Sequence, residues 1–315
     1  MRLTKNKSRR KRVGFIVGAV ALVIVVLIVG RWLGLGTTIR QVNRLISTEP
    51  KPETARAGAP TPVKEFQQVT LDELFRSYVN DGGWVDYAGL GRERDKLDSD
   101  LAGLAGASPQ SFSTDHERLA FWIDAYNAFT LADVLDHVYG KFKSVQSVPG
   151  FFDRNRHRVG GASMTLDDME QRARSFSDPR VHFALVCAST SCPKLQPFAY
   201  TGSDLDKQLD RAARDFLADP SRGLRLDRLR NEIFLSSLFK WYAGDFTMAS
   251  SKAGRAVAPA KAYISGTEGL AYIRQYTPAE VSTFIDEKKP GLSYLPYDWT
   301  LNAQELHASA SEKTK

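Results

Sequence analysis

The chain has 315 residues, with 43 basic and 36 acidic side chains and a formal net charge of +7. Residues 1–12 contain seven Lys and Arg and no acid, so the remaining residues carry equal numbers of basic and acidic groups, 36 of each. The excess charge is therefore confined to the N-terminus. A nucleic-acid-binding body needs a basic surface of its own, and we accordingly expect no nucleic-acid partner.

An apolar segment follows this basic stretch. Residues 13–30 are all apolar or glycine, and Trp32 and Leu33 extend the run past Arg31. A helix of about 20 residues crosses a bilayer core. We expect an uncleaved transmembrane signal anchor over residues 13–33, because Gly30-Arg31-Trp32 is a poor cleavage site, and a cleaved signal peptide is the alternative.

The charge on each side of this segment predicts its orientation. The basic residues 1–12 would stay cytoplasmic, and the rest of the chain would be exported. The sequence thus predicts a single-pass protein of the plasma (inner) membrane, with the lipid bilayer as one partner. The main domain would be periplasmic or extracellular.

The exported part divides by composition. Residues 34–68 are expected to form a juxtamembrane segment and a linker rich in Pro, Ala and Thr, which cannot bury enough apolar surface to fold. Residues 69–307 would form one globular domain, since roughly 240 residues suffice for a sizeable core. Residues 308–315 are predicted to be a disordered polar tail.

Helix signals dominate the globular domain. Thr70 and Glu73 form a capping box that starts one helix, and Thr114 and Glu117 form another that starts the strongest predicted helix, residues 116–139. That helix is apolar nearly all round, which is typical of a central, buried helix. Its residues Asp124 and Asn127 lie one turn apart, and such buried groups either tie the helix to a loop or line a site.

Short strands are predicted between the helices. Residues 155–164 are expected to form a hairpin that turns at Gly160 and Gly161, and residues 224–235 a second hairpin. The apolar run 181–187 is bounded by turn signals and predicts a buried strand that leads into the loop 188–193. The expected fold class is α+β, a helix-rich single domain around a small, mostly antiparallel sheet.

The only two cysteines, Cys187 and Cys192, lie in this strand and loop. A local disulfide is one interpretation, and burial of Cys187 as a small apolar residue is another. A third is a thiol nucleophile paired with His182, which Asn127 would orient as in Cys-His-Asn sites. A redox role is less favoured because the spacing is not Cys-x-x-Cys, and we expect neither a metal nor a cofactor.

Several segments occur in an order that matches a known family. They are Phe121-Trp-Ile-Asp-Ala-Tyr-Asn-Ala128, Asp178-Pro-Arg-Val-His-Phe-Ala-Leu-Val-Cys187, Ser191-Cys-Pro193, Phe239-Lys-Trp-Tyr242 with Asp245-Phe246, and Tyr297-Asp-Trp299. Together they resemble domain of unknown function 547 over nearly the whole globular domain. The resemblance implies an exported or lipid-anchored bacterial protein with no settled activity. In the family's pattern a glycine often follows the first cysteine, where this chain has Ala188, and the second cysteine is serine in some eukaryotic relatives.

Two functional hypotheses follow. The leading one is a binding or scaffolding module of the cell envelope, which takes an unknown peptide, protein or small molecule. Its cleft would be lined by Asp124, Tyr126, Ser191, Trp241 and Tyr242. The alternative is a thiol-dependent peptidase, amidase or transferase acting on envelope peptides or proteins, with Cys192, Cys187, His182 and Asn127 as its catalytic candidates. A central helix packed on a sheet that carries a histidine would give a papain-like or transglutaminase-like layout.

Overall fold

A computed structural model describes residues 69–252 and 267–312 of the chain. The expected anchor at residues 13–33 and the linker at residues 34–68 lie outside the described residues. Within the described ranges, no helix combines the length and the apolar character that crossing a membrane requires.

Helices make up most of the described residues, as the sequence predicts. The α-helices are α1 (Val69–Tyr78), α2 (Tyr87–Arg92), α3 (Arg94–Gly106), α4 (Asp115–Asp133), α5 (Leu166–Arg174), α6 (Leu205–Ala218), α7 (Leu238–Trp241), α8 (Ala243–Lys252), α9 (Thr267–Ile273), α10 (Ala279–Lys288) and α11 (Gln304–Glu312). A π-helical turn (Val134–Val138) continues α4, and short 3-10 helices are Pro109–Ser111, Val145–Ser147 and Pro179–Phe183. The last helix runs into the segment predicted as a disordered tail, where Ala308 and Ala310 favour helix.

The central helix α4 begins where its capping box predicts. The Thr114 hydroxyl accepts a hydrogen bond from the Glu117 N–H, and the Glu117 carboxylate accepts one from the Thr114 N–H. Every residue from Leu119 to Asp133 is buried. The helix packs against α3, α5 and α6, so it forms the centre of the larger of two apolar clusters.

The strands form two small sheets and not the single sheet expected. Strands β1 (His157–Val159) and β2 (Ala162–Met164) pair antiparallel as the predicted hairpin. Strands β3 (Leu224–Asp227) and β4 (Glu232–Leu235) pair antiparallel, and β5 (Gly291–Tyr294) joins β4 in parallel. The second sheet belongs to a second apolar cluster, which includes Phe183, Phe216, Phe239 and Phe246. The α+β class is confirmed.

The predicted strand at residues 181–187 is wrong. Asp178 accepts a hydrogen bond from the Arg180 N–H through its side chain, and Pro179 occupies the first helical position. These local contacts start a 3-10 helix that ends at Phe183. The apolar residues that suggested a strand are buried, but they lie in a 3-10 turn and an irregular segment.

A buried carboxyl group makes the stability of this fold depend on pH. Asp100 on α3 is 7% exposed, and its Oδ2 has no hydrogen-bond partner among the described residues. Burial, with a smaller contribution from the negative charge of Glu73, raises the pKa of Asp100 to about 7. The folded state therefore holds this proton more tightly than the unfolded chain, whose Asp pKa is about 3.9.

Asp100→Asn should remove this pH dependence. Because the folded pKa is raised, the wild-type free energy of unfolding falls as pH rises from about 4 to about 7. We expect the variant to match wild type near pH 4 and to be more stable by on the order of 4 kcal/mol above neutrality, because each pKa unit corresponds to about 1.4 kcal/mol. Denaturant unfolding at both pH values measures this, with the exposed Asp95→Asn on the same helix as control. A difference between wild type and Asp100→Asn that is the same at both pH values would contradict the assignment.

Candidate functional site

Cys187 and Cys192 form a disulfide that closes the loop between them. The first interpretation of the two cysteines is thus confirmed. Cys192 is buried at 3% exposure, whereas Cys187 is partly exposed. In this state neither sulfur is a thiol, and nucleophilic chemistry would first require reduction.

The C-terminal segment 297–302 lies along this loop. Hydrogen bonds join the two backbones at Thr190 N–Thr300 O (2.7 Å), Ser191 N–Asp298 O (3.1 Å) and Asn302 N–Ala188 O (3.1 Å). The Ser191 hydroxyl, predicted to line a cleft, accepts a hydrogen bond from the Asp298 N–H (2.8 Å). This hydrogen bond links the disulfide loop to the C-terminal segment, and the Ser191 side chain that forms it is buried.

Tyr297 brings a hydroxyl group to the disulfide. Its oxygen lies 3.3 Å from the sulfur of Cys187 and 3.3 Å from the sulfur of Cys192. The hydroxyl of Ser189 lies 3.2 Å from the same oxygen. Sequence reasoning favours core packing for the Tyr297-Asp-Trp299 cluster over a place in a ligand groove, so Tyr297 is not among the predicted site residues.

An aromatic cluster surrounds Tyr297 and reaches the surface. The ring of Trp241 lies 4.8 Å from that of Tyr297 and 6.1 Å from that of Trp299, and the Tyr297 and Trp299 rings are 4.7 Å apart. Trp241 is 43% exposed, which is unusual for a large aromatic residue. We call these three residues the aromatic surface.

His182 belongs to a separate group of side chains. Its Nε2 lies 2.8 Å from Asp245 Oδ2, and its ring stacks on Tyr242 at 4.0 Å. Arg174 binds the same carboxylate (Nε–Oδ2 2.8 Å) and lies over the Tyr242 ring. Burial opposes ionisation of Asp245, but the hydrogen bonds from His182 and Arg174 hold its pKa well below the usual range. His182 lies on a 3-10 helix and not on a sheet, so the feature that suggested a papain-like layout is absent from this segment.

The side chain of Asn127 forms two hydrogen bonds to the backbone. Its amide donates to the carbonyl of Ala184 (3.0 Å) and accepts from the N–H of Val186 (2.9 Å). Asp124 accepts a hydrogen bond from the N–H of Tyr200 (3.0 Å) in the same way. Asn127 thus ties the central helix to the residues just before the disulfide, and Asp124 ties it to residue 200, beyond the disulfide loop. Tyr126 is buried in the main core.

One group of side chains has the composition of a metal site. Among the described residues, Asp133, Asp136 and His137 place possible ligand atoms within 4.8 Å of one another. Protein groups already engage both carboxylates, since His157 Nε2 lies 3.0 Å from Asp133 and Arg94 forms an ion pair with Asp136. The sequence reasoning did not find this group, although its members stand at positions i, i+3 and i+4, the spacing that places side chains on one face of a helix.

The comparisons with known proteins agree with this arrangement in part. Residues 109–217 match the family model described as "Protein of unknown function, DUF547". The suspected resemblance is confirmed over this range, and the chain contains a domain of unknown function 547. The matched range holds α4, the 3-10 helix of His182 and the disulfide loop, whereas the aromatic surface and Asp245 lie beyond it. No curated protein and no solved structure matched the chain.

The disulfide loop contains a residue in an unfavourable backbone conformation. Ala188 has φ of 59°, in the left-handed region, which costs a non-glycine residue roughly 1–2 kcal/mol. Its carbonyl accepts a hydrogen bond from the N–H of Asn302, so a change of backbone conformation at Ala188 would disturb the pairing with the C-terminal segment.

Ala188→Gly should therefore lower the free energy of unfolding less than Ala184→Gly does. Both alanines are 1% exposed, but Ala184 has an ordinary φ of −111°. Each change loses one buried methyl group, and only the change at position 188 relieves left-handed strain. We expect the free energy of unfolding of Ala188→Gly to exceed that of Ala184→Gly by about 1–2 kcal/mol in chemical denaturation. Equal values for the two variants would show that the loop carries no such strain.

Proposed function

We propose that this protein is a membrane-anchored component of the cell envelope whose exported domain is a binding module. The proposed ligand site is the aromatic surface beside the disulfide loop. The ligand would be an envelope peptide, protein or small molecule. Residues 13–33 would anchor the chain in the bilayer, with residues 1–12 on the cytoplasmic side.

The observation that carries the binding proposal is the exposure of Trp241 on a rigid base. Tryptophan and tyrosine are enriched at binding surfaces because they supply a large contact area with few rotatable bonds. Trp241 packs on Tyr297 and Trp299, whose segment is hydrogen-bonded to the disulfide loop. The surface is therefore held in place before any ligand arrives, which lowers the entropy lost on binding.

The alternative function, a thiol-dependent peptidase, amidase or transferase, has less support. It needs a free thiolate, and both cysteines are in the disulfide. It also needs a base close to that sulfur, whereas His182 binds Asp245 and is 4% exposed. A papain-like or transglutaminase-like layout would belong to this alternative.

Photocrosslinking in intact cells tests the binding surface. We would replace Trp241 with photoreactive benzoylphenylalanine and compare it with the same replacement at Leu229, which is fully exposed on the turn between β3 and β4. We expect a discrete crosslinked product from position 241 and none from position 229. The product should disappear when Trp299→Ala is added, because that change removes part of the surface. Equal products from both positions, or none from position 241, would contradict the proposal.

Membrane fractionation tests the anchor. The full chain should remain in the membrane fraction after an alkaline wash, and a chain that lacks residues 1–33 should not. The N-terminal sequence of the protein from cells separates the two interpretations of this segment, since a mature chain that begins near residue 31 would indicate a cleaved signal. A full chain in the soluble fraction would contradict anchoring.

A further inference from the structure

We propose that Cys187–Cys192 is an exchangeable disulfide, which takes two electrons from a dithiol reductant through Cys187 while Cys192 leaves as the thiolate. The inference goes beyond binding, and it does not depend on which ligand the aromatic surface takes. It rests on the different surroundings of the two sulfurs.

Access distinguishes the two cysteines. Cys192 is 3% exposed and belongs to the main apolar core, whereas Cys187 is partly exposed at its edge. Thiol–disulfide exchange begins when a thiolate attacks one of the two sulfurs, and access decides which sulfur is attacked. The attack therefore falls on Cys187.

Hydrogen bonding also distinguishes them. The Tyr297 hydroxyl contacts both sulfurs and the Ser189 hydroxyl contacts that of Cys187 at 3.2 Å, but among the described residues only the sulfur of Cys192 accepts a backbone N–H. The backbone N–H of Cys187 donates to the sulfur of Cys192 at 3.0 Å, and the hydroxyl of Tyr297 donates to that sulfur at 3.3 Å. A hydrogen bond to the charged form of a group lowers its pKa, and a leaving thiol of lower pKa departs faster. Both donors are in place before the bond breaks, so the developing charge on Cys192 needs little rearrangement.

The exchange takes place in two steps, in which atoms and electrons balance. The reductant's thiolate forms a bond to the sulfur of Cys187, the Cys187–Cys192 bond breaks, and its electron pair leaves with Cys192. The reductant's second thiolate then attacks the mixed disulfide at its own first sulfur, which releases Cys187 as a thiolate. The dithiol is oxidised to a disulfide, and the two cysteines take up two protons to become thiols.

The aromatic surface adjoins this disulfide. Tyr297 contacts both sulfurs with its hydroxyl group, and its ring packs on the exposed Trp241. Reduction would release the covalent closure of the loop to which residues 297–302 are hydrogen-bonded. A protein docked at Trp241 would thus lie next to the sulfur that exchange requires.

Mapping a glutathione adduct tests the direction of attack. The oxidised full chain would be incubated with reduced glutathione at neutral pH, quenched with acid, alkylated, digested and analysed by mass spectrometry. We expect glutathione on Cys187 and the alkyl group on Cys192. A control in guanidinium chloride should label both cysteines alike, because unfolding removes the difference in access. Adducts on Cys192, equal labelling of the folded chain, or no adduct without denaturant would overturn the proposal.

Tyr297→Phe tests the leaving group. Loss of the hydroxyl removes one hydrogen bond to the departing thiolate, and reduction by dithiothreitol should slow by roughly tenfold. Tyr294→Phe, the same change three residues earlier, should react at the wild-type rate. Equal rates for Tyr297→Phe and wild type would overturn the role of the hydroxyl. If Tyr297→Phe does not fold, the adduct map on the wild-type chain still decides the direction of attack.

Discussion

The double hydrogen bond of Asn127 is the constraint on which the site depends. Its buried amide supplies an acceptor and a donor to the backbone at Val186 and Ala184, where no neighbouring strand does so. Leaving those buried backbone groups unpaired would cost about 1–3 kcal/mol each. Because Asn127 lies in the buried part of helix α4, it fixes an irregular segment against the helix at the centre of the main core. The disulfide follows directly after the residues that it holds.

The segment that Asn127 holds separates His182 from the two cysteines, which the thiol-nucleophile hypothesis brings together. Before it, His182 binds Asp245 and stacks on Tyr242. After it, the cysteines bind each other and contact the hydroxyl of Tyr297. His182 and the two cysteines thus have different partners, and among the described residues no hydrogen bond joins the histidine to either cysteine. The histidine joins elements of the fold through its carboxylate partner, and the cysteines define the candidate site.

The C-terminal segment completes that site. Residues 297–302 pair with the disulfide loop, and the same segment supplies two of the three rings of the aromatic surface. The aromatic surface, the disulfide and the strained turn at Ala188 are therefore parts of one structure. Strain of this kind persists where surrounding contacts over-determine the backbone, and such positions concentrate at functional sites. The proposed binding and the proposed exchange both use this place in the fold.

The sequence by itself determined the features that depend on neighbouring residues. The start of α4 at its capping box, the two hairpins, the α+β class and the disulfide could be predicted because each follows from groups a few positions apart. The apolar run 181–187 predicts a strand because apolar residues indicate burial, and burial does not distinguish a strand from a 3-10 turn and an irregular segment held by Asp178 and Asn127. Tyr297 meets the cysteines, and Asp245 meets His182, only after the chain has folded, since these pairs are separated by 63 to 110 residues. Tertiary structure alone decided them, because no local pattern specifies which distant side chains the packing of helices brings together.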